Sequence, residues 1–188
     1  MERELSQLSR EELWELFPIF LVKPDDKWAV YYEEIEAFLK TILHEHPVER
    51  ISHIGSTAIA GIWAKNIVDV LVELSRDSAL EAAARVLERN GFLRMSSEPG
   101  RISLNRGYER DGFAEKVYHV HLRCAGDHDE LYFRDYLNEH PQTAREYEAL
   151  KLSLWKRFEH DRDGYTQAKT AFVEAWTAEA KRVCAGRY

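Results

Sequence analysis

The chain has 188 residues, 45% of them hydrophobic, with nine Tyr, eight Phe and five Trp; this suits one domain with one core and excludes global disorder. Twenty-six basic against thirty-three acidic residues leave a net charge of −7, which argues against a long nucleic acid as partner, because a polyanion normally meets a basic face. No run approaches the roughly 20 apolar residues of a membrane span, and the polar start is not signal-like, so a soluble, cytoplasmic protein with no membrane partner is expected.

In chain order, Ser9-Arg10-Glu11-Glu12 has the form of a capping box, in which a serine oxygen and a glutamate each accept from the other's free amide, and predicts a short helix. Pro18 and Pro24 bracket an extended Ile19–Val22. Apolar residues at three- and four-residue spacing from Trp28 to Leu43 predict a long amphipathic helix. The period then changes. Arg50–Ile54 and Ile67–Leu74 are short and β-branched and predict strands, followed by a helix over 78–89. Leu93–Ser97, Ile102–Gly107 and Lys116–Arg123 complete the strands, the last two joined by a Gly/Asp-rich connection over 108–114. Asp127-His128-Asp129-Glu130 reads as a further helix cap, Pro141 as a second helix start, and Asp163-Gly164 as the break before a third helix. Cys124 and Cys184 have neither CxxC nor CxxH spacing, against a disulfide scaffold or zinc knuckle. The expected fold class is α+β: one domain over 1–188, with a mixed β-sheet in the middle, residues 1–23 as an N-terminal extension and 127–183 as C-terminal helices.

Two features point to chemistry. A strand ending in Gly55-Ser56-Thr57 and opening towards a helix start presents free amides and hydroxyls that suit a phosphate; taken alone, Gly-Ser reads first as a tight turn with a hydroxyl cap. Asp69 interrupts the apolar run Ile67–Val72, where an ionised carboxylate is costly to bury unless paired, metal-bound or at a cleft edge.

The run from Ile51 to Val72 resembles the GrpB family, whose pattern here is like IEHIGSTSVPGLxAKPIIDI. His119-Val120-His121 is similar to that family's HxH strand, Phe133-Arg134-Asp135-Tyr136-Leu137 to its FRDYL, and Tyr147 to Lys151 to its YxxLK. The resemblance implies a nucleotidyltransferase-like fold and, because some members are fused to a dephospho-CoA kinase domain, a nucleotide or coenzyme A context. In the polymerase-β-type superfamily a Gly-Ser motif precedes an Asp-x-Asp strand whose carboxylates hold divalent metal ions, Mg²⁺ or Mn²⁺, that carry the nucleotide. Here Leu71 stands at the second carboxylate position, and Glu73 could replace it only with a displacement of roughly 7 Å along the strand.

The resemblance places the third ligand on a neighbouring strand, where His119 and His121, two apart, share a face and with Asp69 make a two-histidine, one-carboxylate set better suited to Mn²⁺, Fe²⁺ or Zn²⁺ than to Mg²⁺. A hydrogen-bonded pair lining a cleft, or one histidine acting as general base, are the alternatives. Tyr147 and Lys151, like Tyr165 and Lys169, are four apart on a helix; with Lys65 and Arg134 they would form the cationic wall of a pocket for a nucleotide or phosphorylated small molecule, or else a core edge of tyrosines under lysine stems. Trp63, like Trp14, Trp28, Trp155 and Trp176, reads as a core or interface residue, with cover for a base or sugar as its alternative. The expected function is metal-dependent nucleotidyl transfer to a small acceptor; a non-catalytic nucleotide-binding module and an Asp-His-His hydrolase are the alternatives.

Overall fold

A computed structural model describes residues 7–188. The capping box forms: the Glu12 amide donates to Ser9 Oγ (3.1 Å) and the Ser9 amide to the Glu12 carboxylate (2.8 Å), starting α1 (Arg10–Leu16). The extended segment then threads into the body rather than standing off it. Phe17, Ile19 and Leu21 are buried, Ile19 N donates to Glu159 O, and Val22 bridges to Ala64. Helix α2 (Lys27–Ile42) buries Trp28, Tyr31, Ile35 and Leu39, the predicted stripe.

Five strands follow: β1 (Val48–Ile54), β2 (Val68–Leu74), β3 (Leu93–Glu98), β4 (Arg101–Glu109) and β5 (Gly112–Cys124), with α3 (Leu80–Arg89) between β2 and β3. They form one mixed sheet in the order β1-β2-β5-β4-β3, in which only the central β2–β5 pair is parallel. Three helices close the chain: α4 (Asp129–Glu139), α5 (Pro141–Trp155) and α6 (Arg162–Val183).

Strand alternation sorts the sheet into two faces. Val68, Val70, Val72 and Leu74 of β2, Ile102 and Leu104 of β4, and Tyr118, Val120 and Leu122 of β5 pack with α2 and α3 in the main core. The alternate residues, Asp69, Leu71 and Glu73 of β2, Ser103 and Asn105 of β4, and His119, His121 and Arg123 of β5, lie on the opposite face, towards α4–α6. The helices carry their own cluster, built from Tyr132, Phe133, Tyr136, Leu137, Tyr147 and Ala180. The polar residues of the central strands thus line the seam between two apolar bodies.

Three local expectations differ from the structure. Residues 108–114 are a hairpin with strand pairing on both sides (Tyr108↔Phe113, Glu109↔Gly112), because Tyr108 and Phe113 pack edge-on at 5.2 Å and both meet Phe17. The Asp127 side chain does not cap α4; it is held by Arg101 through two 2.7 Å bonds, and His128 is the cap residue. Asp163-Gly164 lies inside the first turn of α6, since Asp161 accepts from Gly164 N (2.8 Å) and the break falls before it.

Candidate functional site

Parallel pairing of β2 with β5 sets Asp69 directly beside His119, and Leu71 beside His121. Asp69 Oδ1 lies 3.2 Å from His119 Nδ1 and 3.4 Å from His121 Nε2. The outer ring nitrogens are held as well: Tyr108 Oη is 2.8 Å from His119 Nε2, and Ser103 Oγ is 3.2 Å from His121 Nδ1. Tyr108 also accepts from Arg162 Nη2 (2.9 Å). Both rings are therefore fixed by hydroxyls behind them, as metal-binding histidines commonly are. Burial alone would raise the Asp69 carboxyl, but hydrogen bonds from the two histidines hold it well below the usual carboxylate range. Burial pushes His119 down despite Asp69, so the ring is neutral near pH 7. Among the described residues, this trio has donor atoms grouped to hold a metal ion, all within 4.8 Å of one another.

Gly55 closes the strand in front of this centre. Its φ is +71°, and a Cβ there would lie 2.4 Å from Asp69 Oδ2, so glycine is what lets the turn approach the carboxylate. Gly55 and Ser56 line the mouth of a cleft of about 1020 Å³ that also takes in Asp69, His119 and His121. Lys65, Tyr147, Lys151, Tyr165 and Lys169 line the same cleft.

Its cations are strongly desolvated. Burial pushes Lys65 and Lys151 down to about 7 and Lys169 to about 8, with neighbouring positive groups adding to the shift at Lys65 and Lys151. Lys169 Nζ sits 4.3 Å over the Tyr165 ring and Lys65 Nζ 5.9 Å from it, while Lys151 Nζ lies 4.8 Å over Tyr147. Burial also pushes the Tyr147 phenol up to about 12, keeping it protonated.

Several expected residues stand elsewhere or have a second task. Thr57 is buried, donating to Ile67 O (3.1 Å) and facing His53 Nε2 (2.9 Å), so its hydroxyl braces the turn instead of facing the cleft. Arg134 does not line the cleft; its guanidinium donates to His53 O (2.8 Å), Asp135 (2.7 Å) and Tyr188 (3.1 Å), which joins α4 to β1 and the C-terminal residues. Lys151 does line it, yet also donates to Trp63 O, while Glu148 accepts from Trp63 N (2.6 Å), so α5 clamps the loop between the Gly-Ser turn and β2. Trp63 is absent from the cleft lining for the same reason.

The missing second carboxylate has a structural cause. Leu71 is fully buried against Ile54 and Leu131, so its position belongs to a small core. Glu73 is tied to Arg50 (3.2 Å), His128 (2.8 Å) and Gly126 N (3.0 Å), also away from the cleft. Leu71→Asp should therefore lower stability by about 4 kcal/mol or more without creating a second metal ligand, since it buries an unpaired carboxylate. Urea unfolding checks this, and an unchanged midpoint would show that the position opens to solvent.

Sequence reasoning overlooked Tyr108, Ser103 and Arg162. None sits in a motif, and each is brought to the site by long-range pairing or by the start of α6. The hydroxyl of Tyr165, buried and without a hydrogen-bond partner among the described residues, was equally invisible.

A family model described as GrpB protein matches residues 18–179. Glutamate-rich protein GrpB of Alkalihalophilus pseudofirmus is 31% identical over 165 residues, covering 83% of this chain and 92% of that protein. Protein YqkA of Bacillus subtilis is 30% identical over 181 residues, or 93% of this chain and 52% of YqkA, so the chain spans about half the length of that relative. The crystal structure of conserved protein GrpB from Enterococcus faecalis matches with a TM-score of 0.76 at 29% identity, over 87% of this chain and 98% of that one. Cid1 in complex with its short product ApU matches with a TM-score of 0.50 at 14% identity, over 76% of this chain and 43% of that one, a likeness of fold alone. The fold is nucleotidyltransferase-like, and the chain belongs to the GrpB family.

Proposed function

We propose that the cleft binds a nucleotide together with a divalent cation and transfers its nucleotidyl group to a small acceptor. The observation that carries this reading is the meeting of Asp69, His119 and His121 on the floor of a lysine-walled cleft, behind a Gly-Ser turn. The donor set fits a divalent cation, with Mn²⁺ better matched than Mg²⁺, because two imidazoles and one carboxylate converge and the outer ring nitrogens are already held. When bound, the cation would neutralise charge on the phosphate oxygens around the reacting phosphorus. Gly55 and Ser56 would orient phosphate oxygens through amide and hydroxyl donors, and Lys65, Lys151 and Lys169 would neutralise the remaining charge. The acceptor oxygen would bond to the α-phosphorus as the bond to the bridging oxygen breaks and pyrophosphate leaves.

A second reading, hydrolysis with water as the acceptor, is favoured by one observation: a single carboxylate and two histidines, with Leu71 buried where a second carboxylate would stand. The test is pyrophosphate release from each nucleoside triphosphate, with Mn²⁺, Mg²⁺ or EDTA, together with thermal shift. A nucleotide at a hundred times its dissociation constant adds about 2.7 kcal/mol to native stability. A metal-dependent shift with pyrophosphate release only when an acceptor is added supports transfer; release in water alone supports hydrolysis. No shift with any nucleotide and metal would sink both.

A further inference from the structure

We infer that Arg162 and Tyr108 are positioning residues that decide which nitrogen of His119 carries the ring proton, and that they thereby tie cation loading at Asp69 to the release of Arg162 into the cleft. The inference rests on the reading of Asp69, His119 and His121 as a cation site.

The hydrogen bonds behind His119 can run in one direction only. A guanidinium has donors and no acceptor, so Tyr108 Oη accepts from Arg162 Nη2 (2.9 Å). The phenol then gives its own proton to its other neighbour, His119 Nε2 (2.8 Å). A ring nitrogen that accepts carries no proton, so in the neutral ring the proton is on Nδ1, where Asp69 Oδ1 takes it at 3.2 Å. From Arg162 through Tyr108 and His119 to Asp69, this is the order in which no proton faces another. Tyr108 is kept in place by its packing on Phe17 (4.8 Å) and Phe113 (5.2 Å). His121 is not ordered in this way. Ser103 Oγ, 3.2 Å from its Nδ1, has both a proton and lone pairs, and Arg123 Nη2 stands further off at 3.5 Å.

Nδ1 is also the His119 nitrogen that faces Asp69 within the trio. It can offer its lone pair to a cation only after the ring proton has changed nitrogen, to Nε2, the ring staying neutral throughout. The new Nε2–H needs an acceptor, and Tyr108 Oη is the one at hand. For that the phenol proton must turn to the side that Arg162 fills. Arg162 therefore opposes loading while Tyr108 supports it, although both belong to one hydrogen-bonded chain. Release is open to Arg162, because it lines the cleft and among the described residues makes no salt bridge with a carboxylate. A charged oxygen in the cleft bonds a guanidinium more strongly than a phenol does. An anionic ligand would thus free Tyr108, and anion and cation would load together.

The experiment pairs nitrogen NMR of the histidine rings with calorimetric titration of Mn²⁺, on the full chain in chloride buffer at neutral pH. The His119 signals, identified by their loss in His119→Gln, should show the proton on Nδ1 without metal and on Nε2 with one equivalent of Zn²⁺. Tyr108→Phe, which keeps the ring between its two phenylalanines, should weaken Mn²⁺ about tenfold, as the loss of a partner behind a ligand does. Arg162→Met should strengthen Mn²⁺ by about fivefold, the worth of one hydrogen bond to a neutral group, beyond any gain in Lys169→Met, which removes a neighbouring charge that does not touch Tyr108. Arg162→Lys, with charge and donor kept, should return towards wild type. In the Tyr108→Phe background Arg162→Met should do no more than Lys169→Met. A proton on Nε2 without metal, equal gains in Arg162→Met and Lys169→Met, or an Arg162 effect that survives without the phenol would overturn the inference and leave the cation site standing. A wild type that binds neither ion removes the cation site itself, and this inference with it. Should Tyr108→Phe misfold, the ring signals and the Arg162 and Lys169 variants decide.

Discussion

Asp69→Asn should abolish divalent-cation binding in the cleft, lowering Mn²⁺ affinity about a hundredfold or more. Asp69 Oδ1 stands between His119 Nδ1 and His121 Nε2 and supplies the negative charge of the donor set. An amide keeps the shape and loses the charge, and loss of a partner one shell further out already costs roughly 10–100-fold in such sites. The sign of the pH dependence follows from the two shifts. A carboxyl held below its ordinary range contributes stability that is present above that range and disappears only as pH falls through the depressed value. His119, pushed down, favours the folded state while neutral, and that contribution declines as pH drops below the ordinary histidine value of about 6.5. Cation binding should therefore be full near neutrality and weaken through acid pH as protons compete for His119 and then for Asp69. The variant's melting temperature should fall by only a few degrees, because Asp69 sits at the cleft edge with 26% of its side chain exposed. Calorimetric titration with Mn²⁺ at neutral pH decides the matter; a variant that binds Mn²⁺ within about threefold of wild type would remove Asp69 from the centre.

How far the site was legible can be traced residue by residue. Asp69 announced itself because a carboxylate inside an apolar strand demands a partner, and the spacing of His119 and His121 put them on one face. That the two strands are neighbours in parallel register is a long-range pairing, and no local pattern encodes it. Ser103 and Tyr108 depend on a further pairing, β4 with β5, whose register shifts between Arg106 and Tyr108. At Gly107, φ +92°, an added Cβ would fall 2.3 Å from Lys116 O, so backbone approach sets that irregularity, and only the fold reveals it. Arg134 and Thr57 show the opposite failure. Their motifs are real, but a motif does not say which way a side chain turns, and both spend their donors bracing the first strand and its turn. The long amphipathic helix, the central strands and the Pro141 helix start were legible because periodicity and capping act locally. The cap at Asp127 was not, since a tertiary partner, Arg101, outcompeted the local amides.

Gly55→Ala should cost about 2–4 kcal/mol and disable the centre, although the added group is one methyl. Two effects combine. At φ +71° and ψ −171° a residue with a Cβ is held in a region that costs about 1–3 kcal/mol. The methyl would also stand 2.4 Å from Asp69 Oδ2 and 3.0 Å from its Cβ and Cγ, so the carboxylate must swing away from its histidines or the turn must retreat. Either movement opens the geometry that groups the three donors. For a domain of this size the loss corresponds to a fall in melting temperature of roughly 5–15 °C. The two contributions separate in a double-mutant cycle with Asp69→Ala, read by urea unfolding. Without the Asp69 carboxylate the 2.4 Å approach to Oδ2 and the contact with Cγ are gone and the 3.0 Å contact with Cβ stays, so Gly55→Ala should then cost the backbone part and a smaller steric part, leaving a coupling of about 1 kcal/mol or more between the two positions. Strict additivity would mean that Gly55 serves the turn alone and that the close approach to Asp69 does not constrain the site.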